Sequence, residues 1–129
     1  MRARIACIPE AGNYRCRDFF KLYLRECGSV KFYDSPADLL IGAGEGFDLI
    51  ISGMYMGSEA GMAGIRLYDD LRKKPATMDT PFLFFYPAAG SDKMLDEEIR
   101  KRSIPSIVSP DGWKELQETA LRLLEGNPV

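Results

Sequence analysis

Short apolar runs alternate with longer amphipathic stretches along the whole chain. One apolar run ends at Pro9, and another, Phe47–Ser52, is apolar through its middle. Runs of this kind are typical of strands that are buried on both faces of a parallel sheet. The pattern predicts five strands, at residues 4–8, 30–34, 47–52, 80–86 and 104–108. The last strand contains Pro105 and is therefore expected at an edge of the sheet.

The amphipathic stretches between these runs predict five helices, at residues 13–27, 36–41, 65–71, 91–101 and 111–125. Asn13 is interpreted as the N-cap of the first helix, and Gly28 as the residue that follows its C-terminal end. Pro36 opens the second helix at its first position. The predicted inner face of that helix consists of Ala37, Leu40 and Ile41.

Five strand–helix units joined by long connections imply an all-parallel sheet that is covered by helices on both faces. The arrangement that fits 129 residues is a three-layer α/β sandwich with strand order 2-1-3-4-5. At roughly 100–200 residues per domain, residues 1–129 are expected to form one domain. A ligand site in such a sheet lies beyond the strand C-termini, near the switch point between strands one and three. Residues 9–12, 53–57 and 86–89 should therefore surround one crevice.

The composition excludes several kinds of catalytic and metal-binding site. The chain has no histidine, which excludes histidine-based acid–base catalysis, Ser-His-Asp and Cys-His triads, phosphohistidine relays and histidine-ligated metals. Lys and Arg total 17 against 19 Asp and Glu, a net charge of −2. Because the charges are nearly balanced and form no long basic run, nucleic acid is not the expected partner.

The cysteines and the apolar runs indicate the cellular compartment of the protein. Three cysteines cannot form a Cys₄ zinc site within one chain, and their odd number favours free thiols. The longest apolar run, Pro81–Ala89, is too short to span a bilayer, and no signal peptide is recognised. The expected compartment is the reducing cytoplasm, without membrane association.

Several motifs, taken together, resemble a response-regulator receiver domain. The sequence F-D-L-I-I-S-G-M-Y-M at residues 47–56, followed by G-M-A-G-I at 61–65, is similar to the family's D-L-I-I-x-D-x-x-M and G-M-D-G segments. T-P-F-L-F at 80–84 and V-S-P at 108–110 resemble its T-P-I-I-x and x-K-P segments. The match extends from about Arg4 to Leu124 in the right order. It implies a CheY-like, flavodoxin-like fold and a role in two-component signalling.

The functional positions of the family are mostly replaced. The paired acids that hold Mg²⁺ in receivers correspond to Pro9 and Glu10, and the phosphoacceptor aspartate corresponds to Gly53. The switch Ser/Thr corresponds to Tyr86, and the phosphate-pairing lysine to Ser109. The resemblance therefore implies a pseudo-receiver with a degenerate phosphoacceptor crevice.

The chemistry of these replacements can be argued from the residues themselves. Phosphoryl transfer to a carboxylate needs an acceptor oxygen, a divalent cation, and a cation or hydroxyl on the phosphoryl oxygens. Glycine has no side chain to accept a phosphoryl group, and Glu10 alone offers Mg²⁺ a poor site. We therefore expect no catalytic residue, no metal and no cofactor. The predicted function is a regulatory interaction module that works without phosphorylation.

Two other functions stay open. A small-molecule sensor would bind a ligand in the vacated crevice, where Tyr86 and Phe85 would line the pocket. Alternatively, the Tyr86 ring fills the space opposite Gly53. A flavodoxin-type protein would bind FMN, but the first loop, residues 9–13, lacks the Ser/Thr cluster that cradles a phosphate in that family.

The resemblance also implies a surface for a protein partner or a second copy of the chain. Receivers pair and signal through the face built from the fourth helix, the fifth strand and the fifth helix. The candidate contact residues on this face are Glu97, Glu98, Arg100, Arg102, Ile107 and Trp113. The competing interpretation is that the charged residues form a solvated helix surface and that Trp113 belongs to the core.

Overall fold

Strands and helices alternate along the chain in the computed structural model, which describes residues 3–9, 15–53, 63–86, 93–108 and 111–126. The strands are β1 (Ala3–Ile8), β2 (Gly28–Phe32), β3 (Leu49–Ser52), β4 (Phe82–Tyr86) and β5 (Ser106–Val108). The helices are α1 (Arg15–Leu24), α2 (Pro36–Gly42), α3 (Ala63–Arg72), α4 (Lys93–Arg102) and α5 (Trp113–Leu124), with a short 3₁₀ helix at Ala43–Glu45. No helix within these ranges has the length and apolarity needed to cross a bilayer.

The strands form one parallel sheet in the order β2-β1-β3-β4-β5, which confirms the predicted topology. β3 lies at the centre, where Ile5 of β1 pairs with Leu49 and Phe82 of β4 pairs with Ile50. All four residues of β3 are buried. A strand that is covered on both faces explains why its sequence is apolar without alternation.

The core consists of two layers, one on each face of the sheet. One layer joins the sheet to α2, α3 and α4 through residues such as Leu39, Ile50, Leu67, Phe84 and Leu95. The other joins it to α1 and α5 through residues such as Phe20, Leu24, Ile51, Phe85 and Leu116. Successive strand residues point to opposite faces, so each strand contributes to both layers.

The predicted inner face of α2 is wrong for Ala37 and Ile41, whereas Leu40 packs against the core as predicted. Leu39 is fully buried, whereas Leu40 is half-buried, Ala37 is exposed and Ile41 is 84% exposed. Ser35 caps the helix by accepting a hydrogen bond from the backbone N–H of Asp38, and packing of Leu39 into the core turns Ile41 outward. The three consecutive apolar residues Leu39, Leu40 and Ile41 are compatible with several phases, so their sequence alone does not select one.

The role predicted for Gly28 is also wrong. Helix α1 ends at Leu24, and Gly28 is the first residue of β2, opposite Ala3 of β1. A Cβ atom at Gly28 would lie 2.4 Å from the carbonyl oxygen of Ala3. The two backbones approach so closely that this position tolerates only glycine. Asn13, the predicted N-cap of α1, lies outside the described residues.

The edge position predicted for the last strand is confirmed, but the strand is shorter than expected. Only Ser106–Val108 pairs with β4, beginning opposite Phe84. The preceding residue, Pro105, still contributes its carbonyl oxygen, which accepts a hydrogen bond of 3.0 Å from the N–H of Phe84. Ile107 points into the core and is 5% exposed.

A Gly28→Ala substitution should destabilise the fold by about 2 kcal/mol or more, because the new methyl group would overlap rigid backbone atoms of β1. The measurement is the free energy of unfolding from urea titration. Gly44→Ala is the matched control, since a Cβ there would meet no atom within 4 Å. A Gly28→Ala protein as stable as the Gly44→Ala protein would contradict the close approach of the two strands.

Candidate functional site

The predicted crevice lies where β1, β3 and β4 end. Ile8 pairs with Ser52, and the backbone N–H of Gly53 donates a hydrogen bond of 2.8 Å to the Ile8 carbonyl oxygen. Pro9, Gly53 and Tyr86 therefore share the C-terminal edge of the sheet, as the sequence predicted. Glu10 and Ser109, the other two predicted crevice residues, lie outside the described residues.

Gly53 is held tightly although it has no side chain. It is buried, and its carbonyl oxygen accepts a 2.7 Å hydrogen bond from the hydroxyl of Ser52, which is itself fully buried. Ser52 was not among the residues predicted for this site. The available signal was a hydroxyl in an otherwise apolar central strand, since a buried hydroxyl normally has a hydrogen-bond partner.

Tyr86 and Phe85 point to opposite faces of the sheet. Tyr86 is half-buried and packs against the core layer beneath α2, α3 and α4. Phe85 is 2% exposed and packs in the other layer, where its ring centroid lies 4.6 Å from that of Trp113. A pocket lined by both rings is therefore incompatible with the structure. Whether the Tyr86 ring fills the space opposite Gly53 stays a prediction.

A cavity of about 490 Å³ lies at the other edge of the sheet, away from the crevice. It is lined by residues of β1 and β2, of the turn after α1 and of the end of α5: Ala3, Arg25, Glu26, Cys27, Gly28, Leu121, Leu124 and Glu125. Burial raises the pKa of the Cys27 thiol, which keeps it protonated near neutral pH. This cavity is separate from the ligand pocket that the sequence predicted.

The candidate partner residues fall into separate environments. Glu97 and Arg100 are exposed on the outer surface of α4. Ile107 is buried, so its side chain offers no contact to a partner, contrary to the sequence interpretation. The one-residue alternation along β5 explains this outcome, since Ser106 is exposed and Ile107 turns inward.

Trp113 belongs to an aromatic cluster between α5 and α1 rather than to an open surface. Its ring centroid lies 4.9 Å from that of Phe20 and 5.3 Å from that of Phe19, and it stacks on Tyr23. Trp113 is partly buried, whereas Phe19 is 45% exposed. The tryptophan therefore anchors α5 against α1.

Arg102 and Glu98 are engaged within the molecule. The Arg102 guanidinium donates hydrogen bonds of 2.8 and 2.9 Å to the two carboxylate oxygens of Asp69 on α3. It also donates to the side chain of Glu98 and, at 3.0 Å, to the Glu98 carbonyl oxygen. Hydrogen bonds from Arg102 lower the pKa of both carboxyl groups, and the two carboxylates raise the pKa of Arg102.

No protein-family model and no curated protein matches this sequence. Solved structures do match. The signal receiver domain of a histidine kinase from Syntrophus aciditrophicus superposes with a TM-score of 0.79 at 20% identity, covering 96% of this chain and 91% of that one. The chemotaxis protein CheY4 of Vibrio cholerae gives 0.76 at 20% identity, covering 95% and 99%.

A third similar structure is the receiver domain of a sensor histidine kinase from Pseudomonas aeruginosa, which holds a magnesium ion in its active-site cleft. Its TM-score is 0.78 at 14% identity, and the match covers 97% of this chain and 99% of that one. The chain therefore has the CheY-like receiver fold, over nearly its whole length.

The ion cluster around Arg102 should make the free energy of unfolding depend on pH in the acidic range. Because the folded pKa values of Asp69 and Glu98 lie below their ordinary 3.8 and 4.5, the cluster contributes fully above about pH 5. Its contribution should be lost as the pH falls through the lowered values. In Asp69→Asn, the free energy of unfolding should fall less between pH 6 and pH 3 than it does in the wild type. At pH 7 the variant should be less stable than the wild type by about 0.5–1 kcal/mol, as expected for a partly exposed pair.

The measurement is urea unfolding at several pH values. Asp70→Asn, an exposed neighbour on the same helix, serves as the control and should retain the wild-type pH dependence. Equal pH dependence in the wild type and in Asp69→Asn would show that this carboxylate does not contribute.

Proposed function

We propose that this chain is a receiver-fold signalling module of one domain that acts by binding protein without aspartyl phosphorylation, and that it is not an enzyme. The observation that carries the proposal is Gly53, a buried glycine at the C-terminal end of the central strand. The receiver resemblance assigns the phosphoacceptor to this position. A glycine there has no side-chain oxygen to which a phosphoryl group could attach.

The surroundings of Gly53 support the same proposal. A divalent cation must neutralise charge during phosphoryl transfer, and the Pseudomonas receiver domain holds magnesium in its cleft. Here β1 ends at Ile8 and is followed by Pro9, whose ring offers no oxygen ligand. Tyr86 is the last residue of β4 and brings a bulky ring where receivers have a small hydroxyl residue. Cytoplasmic action is part of the proposal, consistent with the side chains of Cys7 and Cys27, neither of which is part of a disulfide.

The proposed contact surface is the outer side of α4, with β5 and α5 beside it. Glu97 and Arg100 supply exposed charges of both signs on α4, which suits recognition by charge complementarity. Arg102 and Glu98 hold α4 in place and do not contact the partner, because their charged groups are already paired within the chain. The partner is a protein or a second copy of the chain.

Magnesium with acetyl phosphate or beryllofluoride should leave the protein unchanged, because Gly53 has no side-chain carboxylate to accept a phosphoryl group. The measurement is a two-dimensional amide NMR spectrum with and without the reagents, together with intact mass. A saturable shift centred on the amides of Gly53 and Tyr86, or a gain of one phosphoryl mass, would overturn the proposal.

Gly53→Asp provides a second arm of the same experiment. The variant should still not take up phosphate, because the positions of Pro9, Tyr86 and Ser109 lack the metal and phosphate partners. It should also be less stable, because a carboxylate would enter a buried position without a designed partner. A magnesium-dependent phosphoprotein from this single substitution would show that the other replacements matter little.

Charge reversal on α4 should weaken any complex of the chain without unfolding it. The double variant Glu97→Lys and Arg100→Glu alters the two exposed candidates, and a roughly tenfold rise in Kd is expected. Analytical ultracentrifugation measures self-association, and titration calorimetry measures an identified partner. Lys21→Glu on α1 is the control; a larger effect there than on α4 would place the contact on the side of the sheet that carries α1 and α5.

A further inference from the structure

The C-terminal end of α4 is fixed by a cap of two backbone hydrogen bonds and one apolar contact. The N–H of Ser103 donates to the Arg100 carbonyl oxygen at 3.1 Å, and the N–H of Ile104 donates to the Ile99 carbonyl oxygen at 3.2 Å. Ile99 and Ile104 are both buried, which completes the apolar contact of a Schellman cap. Ser103 adopts the left-handed conformation with φ of 54°, where glycine is normally preferred. The cap is thus kept despite backbone strain.

A second contact fixes the same end of α4 to a different helix. Arg102, the last residue of α4, makes the bidentate pair with Asp69 of α3 and is 24% exposed. Glu98, one turn earlier, accepts from both Arg102 and Lys101. A planar guanidinium that engages both oxygens of one carboxylate fixes direction as well as distance.

The other end of α4 is more open to solvent. Lys93 is exposed and Met94 is 57% exposed, and the first buried residue of the helix is Leu95. Helices usually fray at both ends, since the terminal backbone groups lack partners within the helix. In α4 the cap and the ion cluster oppose fraying at the C-terminal end.

We infer that Arg102 and Asp69 form a lock that fixes the C-terminal end of α4 on α3 and thereby sets the position of the α4 surface. Arg102 and Asp69 are positioning residues rather than contact residues. With the lock closed, α4 keeps one orientation; with the charge of Asp69 removed, the end of α4 opens locally. The consequence for partner binding rests on the proposed function, whereas the lock itself is a property of the isolated chain.

The lock is tested by amide hydrogen exchange of the isolated full chain. Asp69→Asn should accelerate exchange of the amides from residues 97–104 about fivefold, because one partly exposed charged pair is lost locally. Amides of β1 and β3 should change less than twofold. Asp70→Asn, which alters a neighbouring exposed carboxylate, should match the wild type in every segment.

Two results would overturn the inference. One is unchanged exchange of residues 97–104 in Asp69→Asn; the other is an equal acceleration in β1 and β3, which would make the pair a general stabilising contact. If Asp69→Asn does not fold, Arg102→Lys is read by the same criteria, because it keeps the charge but loses the bidentate geometry. These measurements involve neither phosphorylation nor a partner, so their outcome is independent of the tests of the proposed function.

Discussion

Burial of the central strand on both faces determines how the rest of the chain is arranged. Leu49–Ser52 is fully covered, so its side chains need helices above and below, and its backbone groups need strands on either side. The two core layers follow from this requirement. Function is then confined to strand ends and outer helix surfaces, because the sheet faces themselves are filled. Gly53 lies at such an end, and Glu97 and Arg100 lie on such a surface.

Apolar runs were sufficient to predict the five strands to within two residues at each end, because buried parallel strands leave a strong hydrophobic pattern. The strand order was predicted because a 2-1-3-4-5 sheet fits the chain length. Sequence signals were insufficient where two structures share one local pattern. The run Leu39, Leu40 and Ile41 fits several helix phases, and only packing selected the one that exposes Ile41. Gly28 fits a helix end as well as a strand start. Its actual role depends on Ala3, a residue far away in sequence, whose carbonyl oxygen leaves no room for a Cβ atom.

The candidate site was likewise predicted only in part from the sequence. Strand ends placed Pro9, Gly53 and Tyr86 together, because chain order and topology fix which ends meet. The sequence could not separate the candidate partner residues into exposed and internally paired ones. A charged residue has the same local sequence pattern whether it faces solvent or a second helix. Arg102 pairs with Asp69, 33 positions earlier, and no local pattern encodes such a contact. Ile107 was taken for a contact residue because receivers use the face that contains the fifth strand, but the alternation along β5 turns its side chain into the core.

The short β5 edge limits how copies of this molecule can associate at high concentration. A strand added to a sheet needs a row of unpaired N–H and C=O groups, and β5 offers three residues preceded by a proline that has no N–H. Backbone templating of the kind that seeds amyloid-like stacking is therefore suppressed at this edge. Contacts made here must use side chains, which makes them reversible and sensitive to ionic strength.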